Sequence, residues 1–353
     1  MRISLFLLSL LCHHVTAFAP FLNKKLPASS LVKLNAIGVL ARKAKEADVR
    51  KYCEDGVEDT VMEQYHKLKQ ALSSEEAYVP SSEPGPLQQV LTRRRGTITV
   101  IAEYKRKMEN AGFIADEIFD PEILSPTFRE FGASGIAVLA DERMGGCTYK
   151  DLKSFVIEQR RARNEVPGSV TVINNDLIVD EVQIARSAAV GAQAIVFNLG
   201  ILGEDKLTSF LKAAQALEME SIVSVSSSEE AQTAVDLGAR LIKVDGVKET
   251  DAMGEIIASL DIPEGVDVCT IANILANSDK GLQEVEDVWI CRDRGFNCAW
   301  VSDVLYKSGH DSTEHPGAII KSMTAKSSVK WASPKARGGK GEGAREYLGD
   351  IMM

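Results

Sequence analysis

Short apolar runs alternate with segments of helical spacing over residues 97–326 of the 353-residue chain. Apolar runs of this length, bounded by polar or glycine residues, are typical of buried parallel strands. They predict strands at residues 98–105, 135–141, 169–176, 194–202, 221–225, 241–246, 266–273 and 298–305. Helical patterns lie between and after them, and Gly132, Gly191 and Gly238 stand where a left-handed residue would end a helix.

Eight strands that alternate with eight helices predict an α/β fold in which a parallel sheet closes into a (β/α)8 barrel. An open, doubly wound sheet is the alternative. The first strand, however, is not followed by the G-x-G-x-x-G loop with which such a sheet binds a dinucleotide. We therefore expect a closed barrel without a nucleotide cofactor.

The segments on either side of the barrel have different patterns. Residues 34–78 place apolar residues at helical spacing and charges on the other faces, which predicts two helices. Residues 80–86, PSSEPGP, form a turn cluster. We therefore expect an N-terminal helical extension and linker over 36–96 and the barrel over 97–326. Residues 327–353 are rich in glycine and are expected to form a flexible tail.

The first 35 residues have the features of a targeting segment. A basic start precedes an apolar run over residues 3–12, which is too short to span a bilayer. Residues 18–45 then contain Lys and Arg but neither Asp nor Glu, as transit peptides do. The junction Ala17-Phe18-Ala19-Pro20 resembles that of bipartite plastid presequences. We expect a signal plus transit peptide for import into the plastid (chloroplast) stroma, with secretion as the alternative, and no membrane association after targeting.

Charge and cysteine spacing narrow the classes of partner and cofactor. The formal net charge is -9 at pH 7 and the pI is about 5.3, which argues against a broad basic face and so against a nucleic-acid partner. None of the six cysteines forms a C-x-x-C pair, so neither a zinc site nor a disulfide framework is expected. We expect no metal and no cofactor.

The first predicted strand ends in two opposite charges. In TITVIAEYKR (97–106), Glu103 and Lys105 are two residues apart, and side chains alternate along a strand with period two. Both side chains therefore point to the same side. Barrels of this class build active sites at the carboxyl ends of their strands. Glu103 and Lys105 are thus candidate catalytic residues, and a surface ion pair is the alternative.

Polar residues stand near the ends of several other predicted strands. Asn175 and Asp176 end the third, Ser224 and Asp245 lie near the ends of the fifth and sixth, and Ser302 lies in the eighth. The carboxyl ends of all strands meet at one mouth in such a barrel. These five residues are therefore candidates for binding a small phosphorylated or polar ligand.

Four segments, with their order and spacing, resemble a known family. AIGVLARKAKEADV (36–49) resembles the opening helix of indole-3-glycerol phosphate synthase, and VIAEYKR (100–106) and GIAVLAD (135–141) resemble its first and second strand motifs. INNDLIVDEVQIARSAAVGAQAIVF (173–197) resembles the segment from its third strand to its fourth. The resemblance covers about Ala36 to Lys326 and implies a TIM barrel with an N-terminal helical extension over its mouth.

The resemblance also implies an activity and roles for single residues. The family is a carboxy-lyase of tryptophan biosynthesis that closes the ring of carboxyphenylamino-deoxyribulose phosphate with loss of CO2. Glu103 and Lys105 match the family's first-strand pair. The match implies that Lys105 holds a substrate carboxylate or donates a proton and that Glu103 orients it. Asp176 and Gln183 also match the family pattern.

Other strand ends depart from the family pattern. Asn175 stands where the family has a general-acid lysine, and Ser224 stands where it has a catalytic glutamate. The family's Ser-Pro-Ser, strand-six Asn, Glu-Ser-Gly and Gly-Glu are replaced by Met108-Glu109-Asn110, Asp245, Ile271-Ala272-Asn273 and Ser302-Asp303. Because loss of one general acid or base costs about 10²–10⁴ in rate, the family reaction is expected to be impaired.

These replacements leave three functions open. In the first, the family reaction survives on a rearranged site, with Lys105 as the acid and Glu103, Asp176 or Asp245 as the base. In the second, the protein is a pseudoenzyme, a plastid barrel used for binding, regulation or assembly with a protein partner. The third is different chemistry on a small polar ligand at the same mouth.

Overall fold

The computed structural model describes residues 28–74, 77–81, 83–92, 97–108, 112–113, 120–276, 283–306 and 316–325. The targeting segment up to residue 27 lies outside these ranges, as do Glu109, Asn110 and the tail over 327–353. The expectations for these residues stay predictions.

Eight parallel strands close into a barrel, as the sequence predicted. The barrel strands, together with a short hairpin of β2 and β3, are in chain order β1 (Thr99–Tyr104), β2 (Lys107–Met108), β3 (Gly112–Phe113), β4 (Gly135–Val138), β5 (Thr171–Asn174), β6 (Ala194–Asn198), β7 (Glu220–Val225), β8 (Leu241–Val244), β9 (Cys269–Ile274) and β10 (Cys298–Val301). Strand β1 pairs with both β4 and β10, which closes the sheet. Strands β2 and β3 form a separate antiparallel hairpin.

Helices precede the barrel and connect its strands. They are α1 (Ala28–Asp55), α2 (Asp59–Leu72), α3 (Pro86–Leu91), α4 (Pro121–Glu130), α5 (Tyr149–Arg161), α6 (Glu181–Val190), α7 (Leu199–Leu202), α8 (Glu204–Ala216), α9 (Ser228–Asp236), α10 (Thr250–Ala258), α11 (Gln283–Arg294) and α12 (Pro316–Met323). Gly132, Gly191 and Gly238 have φ of 100°, 93° and 93°, which confirms the predicted left-handed residues at the ends of helices.

Alternate residues along the strands fill the inside of the barrel with an apolar layer. The strand residues of this layer are Ile101, Ala137, Ile173, Ala194, Val196, Ile222, Leu241, Cys269, Ile271, Cys298 and Trp300. Trp300 is the largest of them and is fully buried. Ile271, aligned above with a mouth residue of the family, lies in this layer, and Asn273 is the residue of β9 that reaches the mouth.

Helix α3 closes the opposite end of the barrel. Leu87 and Leu91 are fully buried and join the inner apolar layer. The carboxylate of Glu220, the first residue of β7, accepts hydrogen bonds from the backbone N–H groups of Leu87 (2.5 Å) and Gln88 (3.1 Å). It thereby satisfies donors that a helix start leaves unpaired. The sequence pattern, which gave a turn cluster over 80–86 and then a strand, missed this helix.

Most predicted strands are shorter in the structure, and two of them give way to helical turns. The run over 194–202 is a strand only to Asn198, whose side chain accepts a hydrogen bond from the backbone N–H of Ile201 (3.0 Å) and starts α7. The run over 298–305 is a strand for four residues, and a 3-10 turn follows over Asp303–Tyr306. Apolarity alone does not distinguish a buried strand from a buried helix, which explains both errors.

The two long N-terminal helices pack outside the barrel. Helix α2 lies against α6 and α8, and Lys69 of α2 pairs with Glu181 of α6. Helix α1 reaches over the mouth, where Lys45 contacts residues that follow β4 and β5. Within the described ranges, no helix has both the length and the apolar composition needed to cross a membrane.

Candidate active site at the barrel mouth

A layer of polar residues lies above the apolar layer, at the carboxyl ends of the strands. Each member stands two residues after an inner-layer residue of the same strand, as the period-two alternation requires. The members are Glu103, Asn175, Asn198, Ser224, Lys243, Asn273 and Ser302. Lys105 and Asp245 stand two residues farther along the chain, directly after the ends of β1 and β8. The alternation thus brings the predicted residues of five strands to one end of the barrel.

Glu103 is the centre of a set of hydrogen bonds between β1 and β10. Its carboxylate is 5% exposed and accepts from Asn175 Nδ2 (3.1 Å), Ser302 Oγ (2.9 Å) and Trp300 Nε1. A buried carboxylate without such donors would be costly. Three of these residues, Glu103, Asn175 and Ser302, were predicted to share the site, and the structure places them in contact.

Lys105 belongs to the same side of the mouth. Its ammonium forms an ion pair with Asp303 of the 3-10 turn that follows β10, and both side chains are largely buried. The Tyr306 hydroxyl donates to the carbonyl oxygen of Glu103 (2.8 Å) and ties the same turn to β1. We name Glu103, Lys105, Trp300, Ser302 and Asp303 the β1–β10 cluster.

A second group of polar residues lies next to the first, on the neighbouring strands β9, β8 and β7. Lys243 Nζ is 3.1 Å from Asp245 Oδ2 and 4.3 Å from the centroid of the Trp300 ring. Asp245 also accepts hydrogen bonds from Asn273 Nδ2 (2.6 Å), Ser224 Oγ (3.3 Å) and its neighbouring backbone N–H of Gly246 (2.8 Å). We name Ser224, Lys243, Asp245 and Asn273 the β7–β9 cluster. The predicted pair Ser224 and Asp245 meets here.

The charge state of Asp245 follows from these contacts. Burial alone would raise the pKa of Asp245, but the Lys243 ammonium and the hydrogen bonds from Asn273 and Gly246 outweigh it and lower the pKa below its ordinary value. Asp245 is therefore an anion at neutral pH. The face of the Trp300 ring lies against Lys243 of the β7–β9 cluster, and its Nε1–H donates a hydrogen bond to Glu103 of the β1–β10 cluster. Trp300 therefore connects the two clusters.

Asp176 differs from the other predicted residues because it lies under α1. Lys45 bonds Asp141 (2.8 Å) and also pairs with Asp176, which the side chains of Gln183 (3.0 Å) and Tyr149 (3.2 Å) contact as well. We name Lys45, Asp141 and Asp176 the α1 latch. Burial raises the pKa of Asp176 to about 6, although Lys45 acts in the opposite direction.

The pKa of Asp141, the other acid of the α1 latch, shifts in the opposite direction. Burial alone would raise the pKa of Asp141, but the Lys45 charge and hydrogen bonds from the backbone N–H groups of Met144 and Arg143 hold it below its ordinary value. The latch thus joins one cation to two acids of unequal strength and fixes α1 above the strand ends.

A cavity of about 510 Å³ opens at the mouth beneath α1. Its charged lining residues among those described are Lys43, Lys45, Asp48, Asp141, Arg143, Asp176, Lys243 and Asp245, with Asn175, Asn198 and Ser224 as polar neutral ones. Of the predicted residues, Asn175, Asp176, Ser224 and Asp245 line the cavity. Glu103, Lys105 and Ser302 are described by the structure but stand outside the lining.

Sequence reasoning missed Lys243, Trp300 and the α1 latch. Lys243 could have been found from the sequence, because it is a lone charge inside the apolar run of β8 and stands two residues before Asp245, which puts both side chains on the same side. Trp300 and Lys45 could not, because their partners are distant in sequence. Among the residues that the structure describes, no group of three or more His, Cys, Asp or Glu side chains is arranged to hold a metal ion.

Comparison with known proteins agrees with this architecture. The family model described as indole-3-glycerol phosphate synthase matches residues 33–310. The indole-3-glycerol phosphate synthase of Leptospira interrogans is 32% identical over 192 residues, 54% of this chain and 71% of that protein. The one from Streptomyces griseus is 27% identical over 293 residues, 81% of this chain and 97% of that protein.

Solved structures also match this chain, at low sequence identity. Orotidine 5'-phosphate decarboxylase from Pyrococcus horikoshii matches with a TM-score of 0.45 and 14% identity, over 65% of this chain and 98% of that chain. The family model spans most of the chain, and the two relatives match 54% and 81% of it. The chain therefore belongs to the indole-3-glycerol phosphate synthase family.

Proposed function

We propose that the chain catalyses the decarboxylating ring closure of carboxyphenylamino-deoxyribulose phosphate on a rearranged site. The observation that carries this proposal is the mouth cavity of about 510 Å³, in which Lys243, Asp245 and Asp176 present charged groups. A cavity of this size suits a small-molecule ligand. Buried charges are costly for a protein, so a barrel kept only as a scaffold has no need of them at a cavity.

The reaction requires proton donors and a proton acceptor. A bond forms between the ring carbon that carries the carboxylate and the ketone carbon of the sugar part, and CO2 leaves. The former ketone oxygen takes up two protons and departs as water, and a carbon-bound proton is lost as the indole forms. An ammonium group suits the donation steps, and a carboxylate suits the removal.

The charged residues of the mouth match these needs. We assign Lys105, whose ammonium pairs with Asp303 at the mouth, as a proton donor. Asp245 lines the cavity and is ionised at neutral pH, which suits the base. Glu103 accepts three hydrogen bonds and serves to position Trp300 and its other donors.

The substrate carries two anionic groups, a carboxylate and a phosphate. Lys43 and Arg143 line the cavity and provide positive charge near α1, while Asn175 and Ser224 offer neutral hydrogen-bonding groups. Ser302 donates a hydrogen bond to Glu103 and does not line the cavity. We therefore assign ligand binding to the lining residues and a supporting role to Ser302.

Turnover by the purified full-length chain tests the proposal. Substrate is added, and indole formation is followed by its fluorescence. We expect turnover that falls about 10²–10⁴-fold in Lys105→Ala. Lys153→Ala is the matched control, because Lys153 is exposed on α5 and does not line the cavity, and it should leave turnover unchanged. Absence of turnover by the wild type would contradict the proposal.

A second candidate is a barrel that binds a ligand without converting it. The observation that favours it is that Glu103 and Lys105, the family's first-strand pair, are already engaged by partners within the chain. Saturable binding of the substrate by the wild type without indole formation would support this candidate. A protein partner in regulation or assembly would then be the next test.

We also propose that residues 1–35 direct the chain to the plastid stroma. The support is the short apolar run followed by a stretch free of Asp and Glu. A fusion of these residues to a fluorescent protein should accumulate in the stroma of an alga with complex plastids. Secretion of the fusion would contradict the assignment.

A further inference from the structure

Lys243 is a buried cation that the family motifs did not single out. It lies within β8, between Leu241 of the apolar layer and Asp245, and is 4% exposed. Lysine is rarely buried to this extent without a partner, because removing its charge from water is costly. Its position at the cavity therefore requires a physical account.

The contacts of Lys243 hold the ammonium but do not exhaust its donors. One N–H reaches Asp245 Oδ2 at 3.1 Å, and the Trp300 ring, 4.3 Å away, attracts the charge through its face. An ammonium group has three N–H donors. Because Lys243 also lines the cavity, a donor is available to a ligand bound there.

The other cations of the cavity have different positions. Among the described lining residues, Lys43 and Lys45 belong to α1, and Arg143 lies in the loop after β4. Lys45 bonds the two acids of the α1 latch, and Arg143 pairs with Asp48. Lys243 is the lining cation, within the described part of the chain, that stands on a barrel strand.

We propose that Lys243 contacts the ketone oxygen of the substrate and gives it the first proton as the ring closes; this rests on the proposed function. As the new carbon–carbon bond forms, the π pair of the carbonyl moves to oxygen, which takes a proton from Lys243 Nζ. The amine then regains a proton from water. The ion pair with Asp245 holds Lys243 at the cavity before the step, so Asp245 positions Lys243 in addition to its role as the base.

Two variants of the full-length chain, Lys243→Met and Lys243→Arg, test this role. Turnover is measured by indole fluorescence. Binding is measured separately, with substrate whose ketone has been reduced by borohydride, from the change in tryptophan fluorescence. In Lys243→Met we expect kcat to fall about 10²–10⁴-fold and binding to weaken about 5–10-fold. Lys153→Met is the matched control and should change neither.

Lys243→Arg separates proton donation from a structural role. Arginine keeps the positive charge beside Asp245 and stacks on an aromatic ring, but it does not release its proton. We therefore expect binding within about 3-fold of wild type, while kcat stays at least about 10²-fold low. If Lys243→Arg restored turnover, Lys243 would be structural and the proposal wrong. If Lys243→Met lost its near-ultraviolet circular dichroism, the arginine variant alone would decide.

The binding measurement also separates this proposal from the proposed function. If the wild type binds the reduced substrate but never forms indole, the proposed function fails. The contact with Lys243 then stands only if the methionine variant weakens binding about 5–10-fold and the arginine variant restores it. Unchanged binding in Lys243→Met would refute the contact. A wild type that neither binds nor converts would refute both proposals.

Discussion

The two sides of the barrel mouth use similar residues in different ways. In the β1–β10 cluster, Glu103 accepts hydrogen bonds from within the chain, Lys105 pairs with Asp303, and neither lysine nor glutamate lines the cavity. In the β7–β9 cluster, Lys243 and Asp245 are also paired, yet both line the cavity. The cluster that retains the family motif is thus the one engaged internally, and the cluster without it faces the ligand space.

Retention of a family motif and retention of the family's ligand site are therefore separate properties. Glu103 connects β1 to β10 through Ser302 and Trp300, and such connections support the closed barrel whatever the chemistry at its mouth. Lys243 and Asp245 contribute charge where a ligand can reach it. We therefore expect the ligand to be held on the β7–β9 side.

The largest expected effect comes from removing the ring that connects the two clusters. Trp300→Ala deletes the largest fully buried side chain, leaves Glu103 without one donor and removes the aromatic partner of Lys243. We expect the free energy of unfolding to fall by about 3–5 kcal/mol, measured by urea denaturation. Trp300→Phe should cost less, because it keeps most of the packing. A loss below about 1 kcal/mol in the alanine variant would show that the two clusters are independent.

The α1 latch covers the cavity beside the β7–β9 cluster, and its cation is the next target. Lys45→Met leaves Asp141 and Asp176 as two unpaired buried acids, so we expect a loss of about 3 kcal/mol at pH 8. The loss should shrink at pH 5, where Asp176 is protonated. The double variant Lys45→Met/Asp176→Asn should recover part of the stability at pH 8. An equal loss at both pH values would contradict the account of the latch.

Asp176 also makes the free energy of unfolding of the wild-type chain depend on pH. Its native pKa is about 6, above the roughly 3.9 of an unfolded chain, so the native state binds more protons between these values. Stability from this group is therefore complete below about pH 4 and is lost as pH rises to about 6, by about 2 kcal/mol. Subtracting the urea stability profile of Asp176→Asn from that of the wild type should give this slope. A difference that does not change with pH would show that Lys45 fully offsets the effect of burial on the pKa of Asp176.

The smallest effects compare two serines, one from each cluster. Ser302 Oγ donates to Glu103 at 2.9 Å, whereas Ser224 Oγ donates to Asp245 at a longer 3.3 Å. We expect Ser302→Ala to lower the free energy of unfolding by about 1 kcal/mol and Ser224→Ala by about 0.5 kcal/mol or less. Thermal unfolding of the two variants, run together, measures this difference. A larger loss in Ser224→Ala than in Ser302→Ala would mean that the hydrogen bond in the β7–β9 cluster is the stronger of the two.

Much of the site was predictable because strand alternation is a local rule. Glu103, Asn175, Ser224 and Ser302 are each two residues beyond an apolar inner residue, so their common end of the barrel followed from the sequence. Their partners did not follow. Which donors reach Glu103 depends on the neighbours and register of β1, β5 and β10, which single-strand patterns do not contain.

The features that were missed depend on long-range packing. Lys45 meets Asp141 from 96 residues away, and no pattern within α1 marks it among the other lysines. Helix α3 is a six-residue element whose stability comes from burial of Leu87 and Leu91 and from Glu220 at its start. Short helices have little intrinsic stability, so their sequence signal is weak.

The most direct test of the central claim, that the ligand is held on the β7–β9 side, is a crystal structure of the full chain with the borohydride-reduced substrate. We predict density in the cavity, with the oxygen that replaces the ketone within about 3 Å of Lys243 Nζ. A ligand whose corresponding oxygen lies beyond hydrogen-bond distance of Lys243 Nζ, with Lys243 bonded only to Asp245, would contradict the account.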